Sequence, residues 1–144
     1  MIAYLDSSVL ARAYLVDEDG HEDAVALLDD PEIAPVTGTW TRIEVSSALV
    51  RAARAGRGDE KGLLALLDAD LSARVIVLSA PQDEVEQHAL ELVRRHALRA
   101  MDAWHLAVAA NVVPPLLDAS EQRAFASRDQ PQRLVAKELG FITL

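Results

Sequence analysis

Four acidic residues stand at positions where a carboxylate can do more than face water. Asp6 directly follows the apolar run Ile2-Ala3-Tyr4-Leu5 and precedes Ser7 and Ser8. Glu44 sits near the start of an apolar helical stretch, where Val45, Ala48 and Ala52 share its face and turn its carboxylate along a partly buried surface. Asp102 opens Ala103-Trp104-His105-Leu106-Ala107-Val108-Ala109-Ala110, which is apolar on nearly every side, and Asp129 follows Ala124-Phe125-Ala126-Ser127-Arg128. Each acid alone has an ordinary structural reading. Asp6 suits a helix N-cap. Thr41 with Glu44, and Ser127 with Gln130, have capping-box spacing. Asp102 in a first helical turn is favoured by the helix dipole. Together they imply more, because clustered carboxylates stay ionised only beside a cation. Oxygen donors in a chain without cysteine suit Mg²⁺ or Mn²⁺, not zinc. Such an ion serves phosphoryl transfer by polarising a phosphate oxygen, acidifying a bound water and steadying the leaving alkoxide. His105, one turn after Asp102, is placed to hydrogen-bond it and reads as a supporting residue, since no second histidine has ligand spacing to it. Asp118 competes with Asp129 but precedes a strand instead of following one.

The gathering of these acids depends on the elements between them. Short apolar runs at Ile2–Leu5, Ile33–Val36, Val75–Leu78, Arg123–Ala126 and Phe141–Thr143 read as strands. Helical periodicity covers Val9–Leu15, Glu22–Leu28, Thr41–Arg54, Glu60–Leu71, Pro81–Arg95, Asp102–Ala110 and Gln130–Leu139. Strands alternating with helices predict an α/β fold with a mainly parallel five-stranded sheet and helices on both faces. Ligands of such sheets bind beyond the carboxyl ends of the strands, which is where all four acids are expected. The Gly56-Arg57-Gly58-Asp59 turn and the Pro114-Pro115 pair punctuate helices within one domain, expected to span residues 1–144.

At 144 residues the chain can bury roughly 70% of its unfolded surface, so its core needs neither disulfide nor structural metal. The N-terminal apolar run ends after five residues without a basic flank, so neither a signal peptide nor a membrane span is expected, and a cytoplasmic protein is. A net charge of −9 is the wrong sign for holding nucleic acid by phosphate neutralisation alone. Bound divalent cations would supply local positive charge and quench the carboxylates. Twelve of the fourteen basic residues are arginine; Arg99 and Arg128, beside Asp102 and Asp129 in sequence, are the best candidates to grip a nucleic-acid backbone. Trp40 and Trp104 suit either stacking on bases or ordinary packing.

In order along the chain, Tyr4-Leu5-Asp6-Ser7-Ser8, Glu44, Arg99-Ala100-Met101-Asp102-Ala103-Trp104-His105-Leu106-Ala107, Phe125-Ala126-Ser127-Arg128-Asp129 and Leu139-Gly140-Phe141 resemble a PIN domain, specifically the VapC-type toxins of VapBC toxin–antitoxin pairs. The resemblance covers nearly the whole chain. It implies that Asp6, Glu44, Asp102 and Asp129 bind one or two Mg²⁺ or Mn²⁺ ions, with Ser7 and Ser127 bracing the site. It further implies endoribonuclease activity, a homodimer, and inhibition by a cognate VapB-type antitoxin. On that reading Asp6, Asp102 and one of Glu44 or Asp129 hold the principal ion, and the remaining acid holds a second ion or orients water. The prolines between Asn111 and Gln122 make the approach to Asp129 longer and more irregular than usual for the family.

Rival enzymes fit less well. A haloacid-dehalogenase-like phosphatase would carry a second aspartate where Ser8 stands, and a phosphoacceptor receiver would need a lysine after a late strand, whereas Lys137 falls inside the last helix. Two alternatives remain open at this level: a non-catalytic PIN-like scaffold that binds a partner, and a free-standing PIN nuclease in RNA processing.

Overall fold

The computed structural model describes residues 1–144. Five strands, β1 (Ile2–Leu5), β2 (Ala34–Gly38), β3 (Ile76–Leu78), β4 (Arg123–Ala126) and β5 (Ile142–Thr143), form one sheet in the order β3-β2-β1-β4-β5. Every neighbouring pair is parallel. The seven helices are α1 (Ser7–Arg12), α2 (His21–Asp29), α3 (Thr39–Arg54), α4 (Glu60–Ala73), α5 (Gln82–His96), α6 (Ala100–Val112) and α7 (Gln130–Glu138). The chain runs outward from β1 through β2 to β3, then returns to place β4 on the other side of β1. Strand order therefore reverses beside β1, which is where open sheets of this kind form a ligand crevice.

The central strand explains the two layers. β1 is buried along its whole length, so it lacks the polar alternation of a one-sided sheet. Ile2 and Tyr4 join Val36 and Phe125 in a core under α5, α6 and α7. Ala3 and Leu5 join Ala124 and Ala126 in a second core with residues of α1 to α4. Tyr4 stacks on Phe125 at 5.4 Å, and Phe125 meets Phe141 edge-on at 6.1 Å. The helix α6 is buried on most of its circumference, as its sequence predicts, through Ala103, His105, Leu106, Ala107, Val108 and Ala109. No helix is long and apolar enough to cross a membrane.

Element types agree with the sequence reading, while several starts differ for reasons of capping. α1 begins at Ser7, two residues early, because Asp6 itself caps it by accepting from the Ser8 N–H. α3 begins at Thr39, so Glu44 lies beyond its first turn and no Thr41–Glu44 capping box forms; buried Thr41 hydrogen-bonds Thr37 instead. α6 begins at Ala100, leaving Asp102 inside the first turn and not at its opening. The segment between α6 and β4 holds a 3₁₀ turn at Pro114–Leu116 and a tight turn at Asp118–Glu121. Since Ile2 pairs with Arg123 at the amino end of β1, Asp118 lies at the edge opposite to Asp6.

Gly38 ends β2 where the backbone passes directly over Tyr4. A Cβ at this position would stand 2.7 Å from the Tyr4 hydroxyl oxygen and 3.3 Å from Val108 Cγ1. Both neighbours are buried and cannot swing away. Gly38→Ala is expected to destabilise the fold by about 1–3 kcal/mol, as overpacking does, read as a lower midpoint in urea at unchanged slope.

Candidate functional site

The carboxyl edge of β1 and β4 brings three aspartates together. Asp6 follows β1 and is buried. Asp129 follows β4 and caps α7, its Oδ1 accepting from the Gln132 N–H at 2.9 Å. The cap is therefore Asp129, and the expected Ser127–Gln130 box is absent. Ser127 is nonetheless part of the arrangement: its hydroxyl accepts from the Asp129 N–H at 3.0 Å and donates to Gln132 Oε1 at 2.5 Å. Gln132 Nε2 then donates to the Asp102 carbonyl at 3.1 Å and, more weakly, to Asp6 Oδ1 at 3.4 Å. One fully buried amide thus ties β1, α6 and the β4–α7 turn together, and sequence reasoning missed it. The signal was available, since Gln132, Val135 and Ala136 share the inward face of α7, and a polar residue there needs partners.

Asp102 completes the group from α6. Partial burial, then the charges of Asp129 and Asp6, push its carboxyl above the usual aspartate range, although Arg99 and His105 oppose the shift. Arg99 stands 3.9 Å from the Asp102 carboxylate and 3.7 Å from that of Asp129, with its own side chain open to solvent.

Glu44 reaches the same edge from α3 but is held separately. Its Oε2 lies 2.5 Å from His105 Nε2, and His105 Nδ1 lies 2.9 Å from the Tyr4 hydroxyl. His105 is almost wholly buried and sits 3.8 Å from Asp6 Oδ1. Burial alone would lower its pKa. The Glu44 hydrogen bond and the charges of Asp6, Glu44 and Asp102 outweigh that and raise it. The expected His105–Asp102 hydrogen bond does not form, because both ring nitrogens are engaged elsewhere, Nε2 by Glu44 and Nδ1 by Tyr4. Tyr4, hidden in an apolar run, was not singled out from sequence.

The remaining candidates divide. No hydrogen bond of the Ser7 side chain occurs; Ser8 does the local work, through its N–H to Asp6 and its hydroxyl, which accepts from the Arg128 N–H at 3.3 Å. The Arg128 side chain turns away from the acids toward Asp19 and Asp23, at 3.6 and 3.9 Å. Trp40 and Trp104 meet edge-on at 6.4 Å, with Trp40 about half exposed.

No three Asp, Glu or His side chains stand in closed metal-ligating geometry. The fit to a divalent cation is one of donor chemistry: Asp102 is partly buried beside two like charges. A hard cation favouring oxygen ligands would relieve that repulsion.

Comparison with known proteins agrees with this architecture. A chain of VapBC-1 from nontypeable Haemophilus influenzae shares the fold, with a TM-score of 0.63 at 14% sequence identity over 99% of this chain and 98% of that one. No curated protein matches by sequence. The family description of the PIN domain matches residues 3–137, from the central strand that presents Asp6 to the helix capped by Asp129, and the chain belongs to the PIN-domain family.

Proposed function

We propose that the protein is a Mg²⁺- or Mn²⁺-dependent endoribonuclease acting as the toxin of a type II toxin–antitoxin pair. The observation that carries the reading is the Asp102 carboxylate, placed beside Asp129 and Asp6 and pushed toward its protonated form first by its partial burial and then by their charges. The helix dipole favours an acid in this first turn but does not call for two further carboxylates beside it, whereas a cation site does. PIN domains are generally nucleases that use divalent metals, which supports the same assignment. The fold shared with a chain of VapBC-1 supports a VapB-type antitoxin as partner. A homodimer belongs to the same reading.

In this proposal Asp6, Asp102 and Asp129 hold the ion, and Glu44 orients water or holds a second ion. When bound, the metal polarises the scissile phosphate and makes hydroxide available near neutral pH. The chain's own residues prepare that chemistry. Gln132 fixes Asp6 against the α6 backbone, and its N–H leaves only Oδ2 of Asp129 free of the cap. His105 holds the Glu44 carboxylate in one orientation through Nε2. Arg99 offsets charge at Asp102 and Asp129, and from its exposed position reaches the phosphodiester backbone of an approaching strand.

Incubation of the purified protein with total RNA tests the proposal. Discrete fragments with Mn²⁺ and none with EDTA are expected. Mn²⁺ at a hundredfold excess over its Kd is expected to stabilise the fold by about 2.7 kcal/mol, read as a higher Tm. Cleavage indifferent to EDTA, or no cleavage with no Mn²⁺-dependent rise in Tm, would favour a partner-binding scaffold instead.

A further inference from the structure

On the far side of Arg128 from the acids lies a cavity of about 250 Å³ between α1, α2 and α7. Its apolar walls include Val9, Leu27 and Ala126, and three arginines, Arg12, Arg128 and Arg133, line it against a single acid, Asp23. The gathering is unexpected in a chain of net charge −9. It is also poorly compensated. Arg12 donates only to backbone carbonyls, those of Asp19 at 2.9 Å and Ser8 at 2.6 Å, so its position is set while its charge is not neutralised. Arg128 lies flat over Gly20, and its two acidic neighbours, Asp19 and Asp23, are beyond hydrogen-bonding distance and highly exposed. No hydrogen bond or ion pair engages the Arg133 side chain, whose backbone N–H donates to the Asp129 carbonyl. Three like charges around one partly apolar hollow repel, and an anion with an apolar body would relieve the repulsion and cover the walls.

The cavity also adjoins the acids. The Arg128 N–H donates to the Ser8 hydroxyl, and the Ser8 N–H donates to Asp6, so one short stretch of backbone separates the two. A site smaller than the roughly 300–1,000 Å³ that encloses a drug-sized ligand admits one base but no duplex. From this juxtaposition we infer that the cavity is a nucleotide subsite for single-stranded RNA, taking the unit next to the scissile phosphate. The guanidiniums of Arg12, Arg128 and Arg133 engage the phosphodiester. Val9, Leu27 and Ala126 receive the base, with guanidinium planes available to stack on it. This inference rests on the nuclease reading for which phosphate is cut. The cavity's affinity for RNA does not depend on cleavage.

The test separates the two. Binding of a fluorescein-labelled, random-sequence ten-nucleotide RNA to the uncleaving Asp102→Asn protein is measured by anisotropy across a salt series. The same measurement is made with Arg133→Gln or with Leu27→Trp added to that background. Arg133→Gln, on a half-buried side chain without partners, is expected to weaken binding and to lower the slope of log affinity against log salt by about 0.7, the loss of one single-strand phosphate contact. Leu27→Trp, which fills the hollow, is expected to weaken binding with the slope retained, and in the otherwise wild-type protein to change which bases flank the cuts. Circular dichroism confirms that each variant folds. Affinity and slope unchanged in Arg133→Gln would overturn the subsite, whether or not the wild type cleaves RNA. Binding that depends on Arg133 in a protein showing no EDTA-sensitive cleavage would keep the subsite and overturn the nuclease reading.

Discussion

Asp102→Asn is expected to lower Mn²⁺-dependent RNA cleavage by about 10²–10³-fold or more while leaving the protein as stable as the wild type, or more so. The loss follows from removing a charged oxygen donor at the centre of the proposed ion site; outer supporting residues of metal sites already cost ~10–100-fold when removed, and a direct ligand costs more. The stability follows from the metal-free fold. Partial burial, Asp129 and Asp6 all disfavour the ionised form of Asp102, so a neutral amide of the same shape removes a repulsion. Function bought at the expense of stability is the pattern of an active site, and a structural aspartate would show the opposite. Cleavage of total RNA and thermal melts of both proteins, with EDTA and with Mn²⁺, supply the readouts. Mn²⁺ should raise the wild-type Tm and move that of Asp102→Asn far less. Retained cleavage together with a lower Tm would remove Asp102 from the site.

The second large effect concerns His105. His105→Leu removes both nitrogens from a buried position and leaves the Glu44 carboxylate and the Tyr4 hydroxyl without their shared partner. Breaking a well-buried ionic pair by deleting one member costs ~3–5 kcal/mol, but Glu44 retains some access to water, so a loss of about 2–4 kcal/mol is expected. Urea unfolding measures it. A double-mutant cycle with Glu44→Gln separates the pair from the packing of the ring: coupling of about 1–3 kcal/mol is expected for residues in direct contact in one network. Additive effects of the two substitutions would show that His105 serves the core alone. Mn²⁺-dependent cleavage should fall in His105→Leu under conditions where the variant is fully folded, because Glu44 is then free to adopt other rotamers.

These expectations differ in how far they were legible beforehand. The strands and helices could be read because local signals are strong in a parallel α/β chain. A strand buried on both faces reads as an unbroken apolar run, and an interior helix as apolar on all sides, as β1 and α6 do. Placing Asp6 after β1 and Asp129 after β4 needed only the sense of the strands, since parallel strands present their carboxyl ends at one edge.

Partner choice among polar side chains could not be read in the same way. Thr41 and Glu44 have the spacing of a capping box, yet Gly38 starts the helix early and the two side chains part, one to Thr37 and the other to His105, 61 residues away. His105 has the spacing to bond Asp102, yet its two ring nitrogens are taken by Glu44 and Tyr4. Gln132 looks like an ordinary helix residue until α6 delivers the Asp102 carbonyl to its amide. Arg128 neighbours Asp129 in sequence but turns to the opposite side, into the cavity it shares with Arg12 and Arg133.

The amino-acid sequence by itself therefore determined the element types, the parallel sheet and the edge at which the acids lie, because these follow from burial periodicity and chain direction. Only the tertiary structure decided which carboxylate is crowded by like charges, which is latched to a histidine and where three arginines collect around one hollow. Those outcomes depend on the distances between side chains from different elements, and a hydrogen bond or an ion pair is made or lost within a single ångström.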